Sequence, residues 1–213
     1  MGDTIAMSTA FYEAHGLSRW AAAINGLSTA DAAADGFEAV FAFPSVALQQ
    51  SESAALIESM SSPHASLPDD VQYGGYWVRD IEDLAQCDIL ERPEGPYVIW
   101  MRDGAFPDET TNLTCSRLVK DFQARSWTGL TVHEFLVIQR MKALANGDHR
   151  WSCYHGTEAH PPGHQWLPNA RLGKKVFQGY WVKKSGQVQI GACKTGSKKP
   201  SRGAHPCVVT PLS

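Results

Sequence analysis

The sequence lacks the short motifs that identify the common nucleotide-dependent and metal-dependent enzymes. It contains no G-x-S-x-G, P-loop, G-x-G-x-x-G or D-x-D-x-D-G pattern, and residues 191–196 have glycine and lysine without Walker spacing. His133 and Glu134 begin like the H-E-x-x-H helix of zinc proteases, but the fifth position is Val137. Motifs alone therefore assign no reaction to this chain.

The sequence also has no long uninterrupted apolar run, and we expect it to carry no secretory leader. The first ten residues have neither a basic region nor an apolar stretch, and the longest apolar runs, such as residues 132–144, are interrupted by charges. The cysteines are odd in number and widely spread, at positions 87, 115, 153, 193 and 207, unlike a secreted disulfide framework. We therefore expect a cytoplasmic protein without a membrane partner.

Length and composition predict one globular domain. The chain has 213 residues, of which 43% are hydrophobic and 19% charged, which suits a core that needs no disulfides. Hydrophobic periodicity predicts helices in 8–36, 47–60, 114–125 and 131–146, and strands in 37–43, 76–81, 97–102, 150–155, 165–167, 176–182 and 187–193.

The order of these elements favours an α+β fold, because helices and strands are segregated rather than alternating. We predict N-terminal and central helices packed on a mainly antiparallel sheet, followed by a β-rich basic C-terminal part. Residues 1–196 are expected to form the domain. Residues 194–213 are rich in glycine and proline, and 197–213 are expected to form a loop-like basic tail.

The clearest local signature is the capping box Thr131-Val-His-Glu134. In this motif the Thr hydroxyl accepts a hydrogen bond from the backbone N–H three residues later, and the Glu carboxylate reaches back to the first N–H. A helix is therefore expected to begin here and to end at Asn146-Gly147. His133, at the second helical position, is expected to be exposed.

Acidic residues are absent after Glu158. Residues 159–213 carry nine basic and no acidic residues, whereas residues 1–158 carry ten basic and twenty-two acidic ones. One interpretation is that the basic segment binds an anion, which could be nucleic acid, a phosphorylated ligand or an acidic membrane surface. The candidate binding residues are Arg171, Lys174, Lys175, Lys183, Lys184, Lys198 and Lys199. The alternative is that these side chains are simply solvated and that the two fields partly cancel.

Aromatic residues are interleaved with these charges, at Trp166, Phe177, Tyr180 and Trp181. Exposed aromatic rings beside lysines suit the stacking of nucleic-acid bases. At positions 177, 180 and 181 we instead expect core residues, because the surrounding pattern is that of strands.

A Cys/His cluster offers two further alternatives. Cys153-x-His155 and His205-x-Cys207 each place two side chains on one face of an extended strand, so the four could close a tetrahedral zinc site. The usual C-x₂₋₄-C spacing is missing, and free cysteines are often merely buried. Cys153 with His155 or His133 is also a candidate nucleophile and base. A structural or assembly role without catalysis is the remaining alternative.

A series of short motifs runs in order from about residue 15 to residue 196. They are Phe43-Pro44-Ser45, Tyr76-Trp-Val-Arg-Asp80, Leu130-Thr131-Val-His-Glu134, Cys153 with Gly156-Thr157, Trp166-Leu167-Pro168, Leu172-Gly173 and Val188-Gln-Ile-Gly-Ala-Cys193. In this order they resemble an uncharacterised bacterial family, mainly actinobacterial, that is known as a domain of unknown function.

The resemblance has two departures. The closing motif lacks the family's tryptophan, and residues 197–213 extend past the family's usual end. The resemblance implies the order of elements and a recurring pair, Cys153 and Cys193, on neighbouring strands. It implies no activity.

Overall fold

The computed structural model describes residues 2–28, 36–61, 76–78, 84–102, 108–146, 164–182, 187–196 and 202–213. The fold is α+β, as the sequence predicts. The helices are α1 (Gly2–Ala14), α2 (Ser18–Ile24), α3 (Val46–Ser51), α4 (Ser53–Ser61), α5 (Cys115–Gln123) and α6 (Val132–Asn146), with 3₁₀ turns at Leu84–Gln86 and Asp108–Thr110. The strands are β1 (Glu38–Phe43), β2 (Tyr76–Val78), β3 (Asp88–Ile89), β4 (Tyr97–Met101), β5 (His164–Leu172), β6 (Lys175–Val182), β7 (Gln187–Lys194), β8 (Arg202–Gly203) and β9 (Cys207–Pro211). None of the described helices has the length and apolar character needed to cross a membrane.

The strands form two sheets. The first has the order β1-β4-β9, and both of its pairings are antiparallel. The second has the order β2-β7-β6-β5-β3, and β8 adds to β5 on the edge that β3 also uses. Only β2 with β7 and β5 with β8 run parallel among the described pairings, so the prediction of mainly antiparallel strands is confirmed.

Helix α6 lies in the centre of the molecule and contacts β1 of the first sheet and β5 and β6 of the second. Residues 130–140 are all buried, including the continuous apolar run from Phe135 to Ile138. A helix that is buried all round must be covered all round, and the two sheets and α4 contribute to that cover. At Gly179 on β6 the Phe135 ring occupies the space that a Cβ would take, so glycine permits this close approach.

Helix α5 packs against the opposite face of the six-stranded sheet, here called the outer face. Its apolar stripe of Cys115, Leu118 and Phe122 contacts Trp166 and Val176, which alternate along their strands with residues that face α6. The helix begins at Thr114, whose hydroxyl accepts a hydrogen bond from the Arg117 N–H at 3.2 Å. The sequence predicts this helix correctly because its amphipathic pattern is strong.

The C-terminal segment departs from the predicted loop. Arg202–Gly203 and Cys207–Pro211 are strands, and β9 pairs with β4 along its whole length. Beyond β9, Ser213 and Ser28 exchange two backbone hydrogen bonds of 3.0 and 2.9 Å. The prediction of a loop-like tail is therefore wrong for these residues, because β-branched residues at 208–210 outweigh the surrounding glycines and prolines.

Two other predictions change or remain open. The single helix predicted over 47–60 is two helices, α3 and α4, which meet at Glu52. The strand predicted over 150–155 and the turn predicted at 184–186 lie outside the described residues. The strands on either side of that turn, β6 and β7, are antiparallel neighbours, with Val182 opposite Gln187.

Candidate functional site

The carboxylate of Glu134 accepts four hydrogen bonds inside the protein. Oε1 accepts from Arg92 Nε at 2.6 Å and from the Tyr97 hydroxyl at 2.7 Å. Oε2 accepts from Arg92 Nη2 at 2.8 Å and from the Thr131 N–H at 2.7 Å. The Thr131 hydroxyl in turn accepts from the Glu134 N–H at 3.3 Å, so the predicted capping box is confirmed.

The guanidinium of Arg92 is equally well satisfied. Besides the two bonds to Glu134, Nη1 donates to the Glu91 carbonyl oxygen at 2.9 Å and to Thr128 Oγ1 at 3.3 Å. Nη2 also donates to the Gly129 carbonyl oxygen at 2.6 Å. All five N–H groups of the side chain therefore have acceptors. The side chains of Arg92 and Glu134 are only 1% and 0% exposed.

The protonation states of this network follow from its geometry. Burial by itself would raise the pKa of Glu134, but the charge and hydrogen bonds of Arg92, with those of Tyr97 and Thr131, outweigh it and lower the pKa below its ordinary value. Burial, together with the Glu134 charge, raises the pKa of Tyr97, so the phenol keeps its proton and donates it. The network thus holds a buried, charged pair of Arg92 and Glu134.

A buried contact between a serine and a histidine lies beside the network. His133 Nε2 is 2.9 Å from Ser53 Oγ, and the Ser53 hydroxyl already donates to the Gln50 carbonyl oxygen at 2.8 Å. The hydroxyl also lies 3.2 Å from the Gln49 carbonyl oxygen, and Ser53 is buried. His133 is fully buried, so the prediction that it is exposed is wrong: α6 is covered on every side, not only on one.

The predicted zinc ligands are only partly described. His205 and Cys207 are both buried, and the Cys207 thiol lies 3.5 Å from the His205 carbonyl oxygen, to which it donates. Burial raises the pKa of the Cys207 thiol well above its ordinary value. Cys153 and His155 lie outside the described residues. Within the described ranges no group of three or more His, Cys, Asp or Glu side chains could hold a metal ion.

The basic segment places four described side chains at one end of the six-stranded sheet. Arg171 is the last residue but one of β5, Lys174 lies in the turn to β6, and Lys175 begins β6. Lys175 stands directly opposite Lys194 at the end of β7, and both are exposed. We call Arg171, Lys174, Lys175 and Lys194 the basic rim. The other candidate lysines, Lys183, Lys184, Lys198 and Lys199, lie outside the described residues.

The basic rim is close to the start of α5. Arg171 Nη1 is 3.8 Å from the Cys115 thiol, and the Cys115 N–H donates to the Thr195 carbonyl oxygen at 3.0 Å. Asp88 stands in register with Arg171 on the neighbouring strand. Among the described contacts, no ion pair joins any side chain of the basic rim to an acid.

The structure adds residues to the Glu134 network and to the basic rim that the sequence does not predict there. Arg92 lies in a predicted turn and Tyr97 in a predicted strand, with no local signal of their contact with Glu134. Lys194 was not a candidate binding residue, and only the pairing register of β6 and β7 brings it to Lys175. Phe177 is buried, as expected, and Trp166 is buried as well.

Comparison with known proteins adds no further information about the site. The chain matches no protein-family model, no curated protein and no solved structure. The resemblance to the family of unknown function stays a prediction.

Proposed function

We propose that this chain binds an anionic, phosphorylated ligand through the basic rim. The observation that carries the proposal is the direct opposition of Lys175 and Lys194 at an exposed end of the sheet, beside Lys174. An anion placed between two ammonium groups is attracted to both of them.

The arrangement of these lysines is unfavourable for the fold alone. Like charges directly opposite each other on antiparallel strands destabilise the pair. Within the described residues, no carboxylate lies within ion-pair distance of Lys174, Lys175 or Lys194 to relieve the repulsion. An anionic ligand would relieve it, and this supports binding over the alternative that the lysines are merely solvated.

The alternative of a Cys/His enzyme has less support in the described part of the chain. Burial raises the pKa of both the Cys115 and the Cys207 thiols, whereas a nucleophilic cysteine needs a lowered pKa. Ser53 and His133, which contact each other, are both buried. Catalysis through Cys153 and His155 remains a prediction.

The proposal can be tested by fluorescence anisotropy with a labelled single-stranded oligonucleotide as the anionic probe and tripolyphosphate as a competitor. The variant Lys175→Gln with Lys194→Gln removes two charges from the basic rim. We expect weaker binding at low salt and a log–log salt slope that is shallower by about 1.4, which corresponds to two lost phosphate contacts.

The matched control is Arg19→Gln with Arg125→Gln, which removes the same charge at two exposed positions away from the basic rim. The control should keep most of the affinity. Equal loss in both double variants would mean that only net charge matters, and absence of binding by the unmodified chain at about 50 mM salt would reject the proposal.

A further inference from the structure

The four residues of the basic rim follow one another around the end of the six-stranded sheet. Lys175 and Lys194 stand side by side on neighbouring strands, and Lys174 precedes Lys175 in the two-residue turn between β5 and β6. Arg171 lies on the other side of that turn, in register with Val176. Neighbouring strands are about 4.8 Å apart, so each of these residues is attached within one or two such steps of the next. The basic rim is therefore a continuous row of positive residues.

The two directly opposed lysines lie on the face of the sheet that α6 covers. Side chains alternate between the two faces along a strand. Phe177, two residues after Lys175, and Ala192, two residues before Lys194, both belong to the core that contains the apolar residues of α6. Lys175 and Lys194 therefore leave the sheet on this same face, at the end where it is no longer covered, and both are exposed.

Arg171 lies on the outer face instead. Its cross-strand neighbour Val176 packs in the cluster under α5, and Arg171 Nη1 is 3.8 Å from the thiol of Cys115 at the start of that helix. A sheet with side chains on both faces is about 10 Å thick. The Arg171 charge is therefore separated from the lysine pair by about the thickness of the sheet, and Lys174 in the turn lies between them.

This separation restricts the class of anion that uses the whole basic rim. A single phosphate group between Lys175 and Lys194 does not reach Arg171 on the other face. The ligand must be a chain with repeated negative charges that bends around the end of the sheet. A nucleic-acid strand has one phosphate per nucleotide, and a single strand is flexible, whereas a duplex keeps its direction over about 150 base pairs.

We propose that the basic rim binds the sugar-phosphate backbone of a single-stranded nucleic acid, which passes over the turn between β5 and β6 from the α6 face to the outer face. This rests on the proposed function, because it names the ligand class of the same residues. Phe177 and Trp166, the aromatic residues nearest to this turn on β6 and β5, are buried and present no ring for a base to stack on. The contacts therefore involve phosphates, and binding is independent of the base sequence.

An acidic residue stands beside one end of this row. Asp88 is exposed and in register with Arg171 on the neighbouring strand β3, so both side chains lie on the outer face. Its carboxylate repels a phosphate that approaches Arg171. Removal of this negative charge should therefore strengthen the binding of a strand that reaches Arg171, but not the binding of a small anion that stays at the lysine pair.

The test compares a single-stranded oligonucleotide of about twelve nucleotides with tripolyphosphate, each titrated directly against the full chain. Arg171→Gln should weaken oligonucleotide binding, make its log–log salt slope shallower by about 0.7, and leave tripolyphosphate binding unchanged. Asp88→Asn should strengthen oligonucleotide binding about threefold and also leave tripolyphosphate binding unchanged. Because a loss of folding cannot strengthen binding, Asp88→Asn decides the question even if Arg171→Gln lowers the unfolding midpoint.

The matched control is Glu13→Gln, which removes one negative charge at an exposed position on α1 and should leave both affinities unchanged. Equal strengthening by Asp88→Asn and Glu13→Gln, or equal affinity for the two ligands, would overturn the inference and leave the proposed function standing. A duplex or polyglutamate that binds as tightly as the single strand would overturn the ligand class. If neither the oligonucleotide nor tripolyphosphate binds, the inference and the proposed function fall together.

Discussion

Arg92 and Glu134 are buried, oppositely charged and fully hydrogen-bonded, whereas Lys175 and Lys194 are exposed, alike in charge and directly opposite each other. In the first pair, the side-chain nitrogens of Arg92 and both carboxylate oxygens of Glu134 are hydrogen-bonded to other groups of the protein. In the second pair, both ammonium groups are exposed to solvent, and the repulsion between them slightly lowers the stability of the fold. A cluster of charged side chains therefore does not by itself indicate a binding site. A buried cluster of opposite charges stabilises the fold, whereas an exposed cluster of like charges is available to bind an anion.

The largest effect is expected from breaking the buried ion pair. Arg92→Met leaves the Glu134 carboxylate in the interior without its cation, and we expect a loss of about 3–5 kcal/mol in the free energy of unfolding, measured by urea denaturation. The control is Arg19→Gln, which removes the exposed ion pair with Glu52 at 2.8 Å. It should cost at most about 1 kcal/mol. Equal effects of the two substitutions would contradict a special role for the Glu134 network.

Low pH should destabilise the folded chain through the same network, because it protonates Glu134. Because the pKa of Glu134 is lower in the folded chain than in the unfolded one, its contribution to stability is complete above the ordinary glutamate pKa. This contribution is lost as the pH falls through the lowered folded value. Unfolding midpoints measured from pH 7 down to pH 3 should therefore decline most steeply below about pH 4.

Substitution of Glu134 by Gln should flatten that decline, although the variant starts from a lower stability. The uncharged amide does not titrate and cannot neutralise Arg92. A variant that keeps the steep acid decline of the unmodified chain would show that other carboxylates cause it.

The smallest effect is expected at the basic rim. Lys194→Glu replaces a like-charge pair with Lys175 by an opposite-charge pair, which should stabilise the chain by up to about 1 kcal/mol in thermal unfolding. The control is Lys174→Glu, because Lys174 lies in a turn and has no lysine directly opposite. Destabilisation by Lys194→Glu would mean that Lys194 has a structural role that the register does not reveal.

The sequence predicts those features of the fold that depend on contacts between residues close together in the chain. The capping box at Thr131 and Glu134 and the amphipathic stripe of α5 involve residues three to seven positions apart, and both are confirmed. Arg92 is different, because it meets Glu134 across 42 positions of the chain. Nothing near Arg92 indicates that it is buried, and the flanking prolines favour a turn.

The strand at 207–211 illustrates a second limit. It is stabilised by β4, more than one hundred positions earlier, where Val98 stands opposite Thr210. The glycine-rich and proline-rich composition around it favours a loop, and its β-branched residues together with the partner strand override that preference. The candidate site has the same limit: nine basic residues mark the segment, but the register of β6 and β7 selects Lys175 and Lys194 from among them.

The measurement that tests the account most directly combines binding and stability in one variant, Lys175→Gln with Lys194→Gln. If the basic rim binds the anion, this variant should bind the labelled oligonucleotide more weakly and have an unfolding midpoint equal to or higher than that of the unmodified chain. Unchanged binding, or binding lost only together with a lowered midpoint, would contradict it.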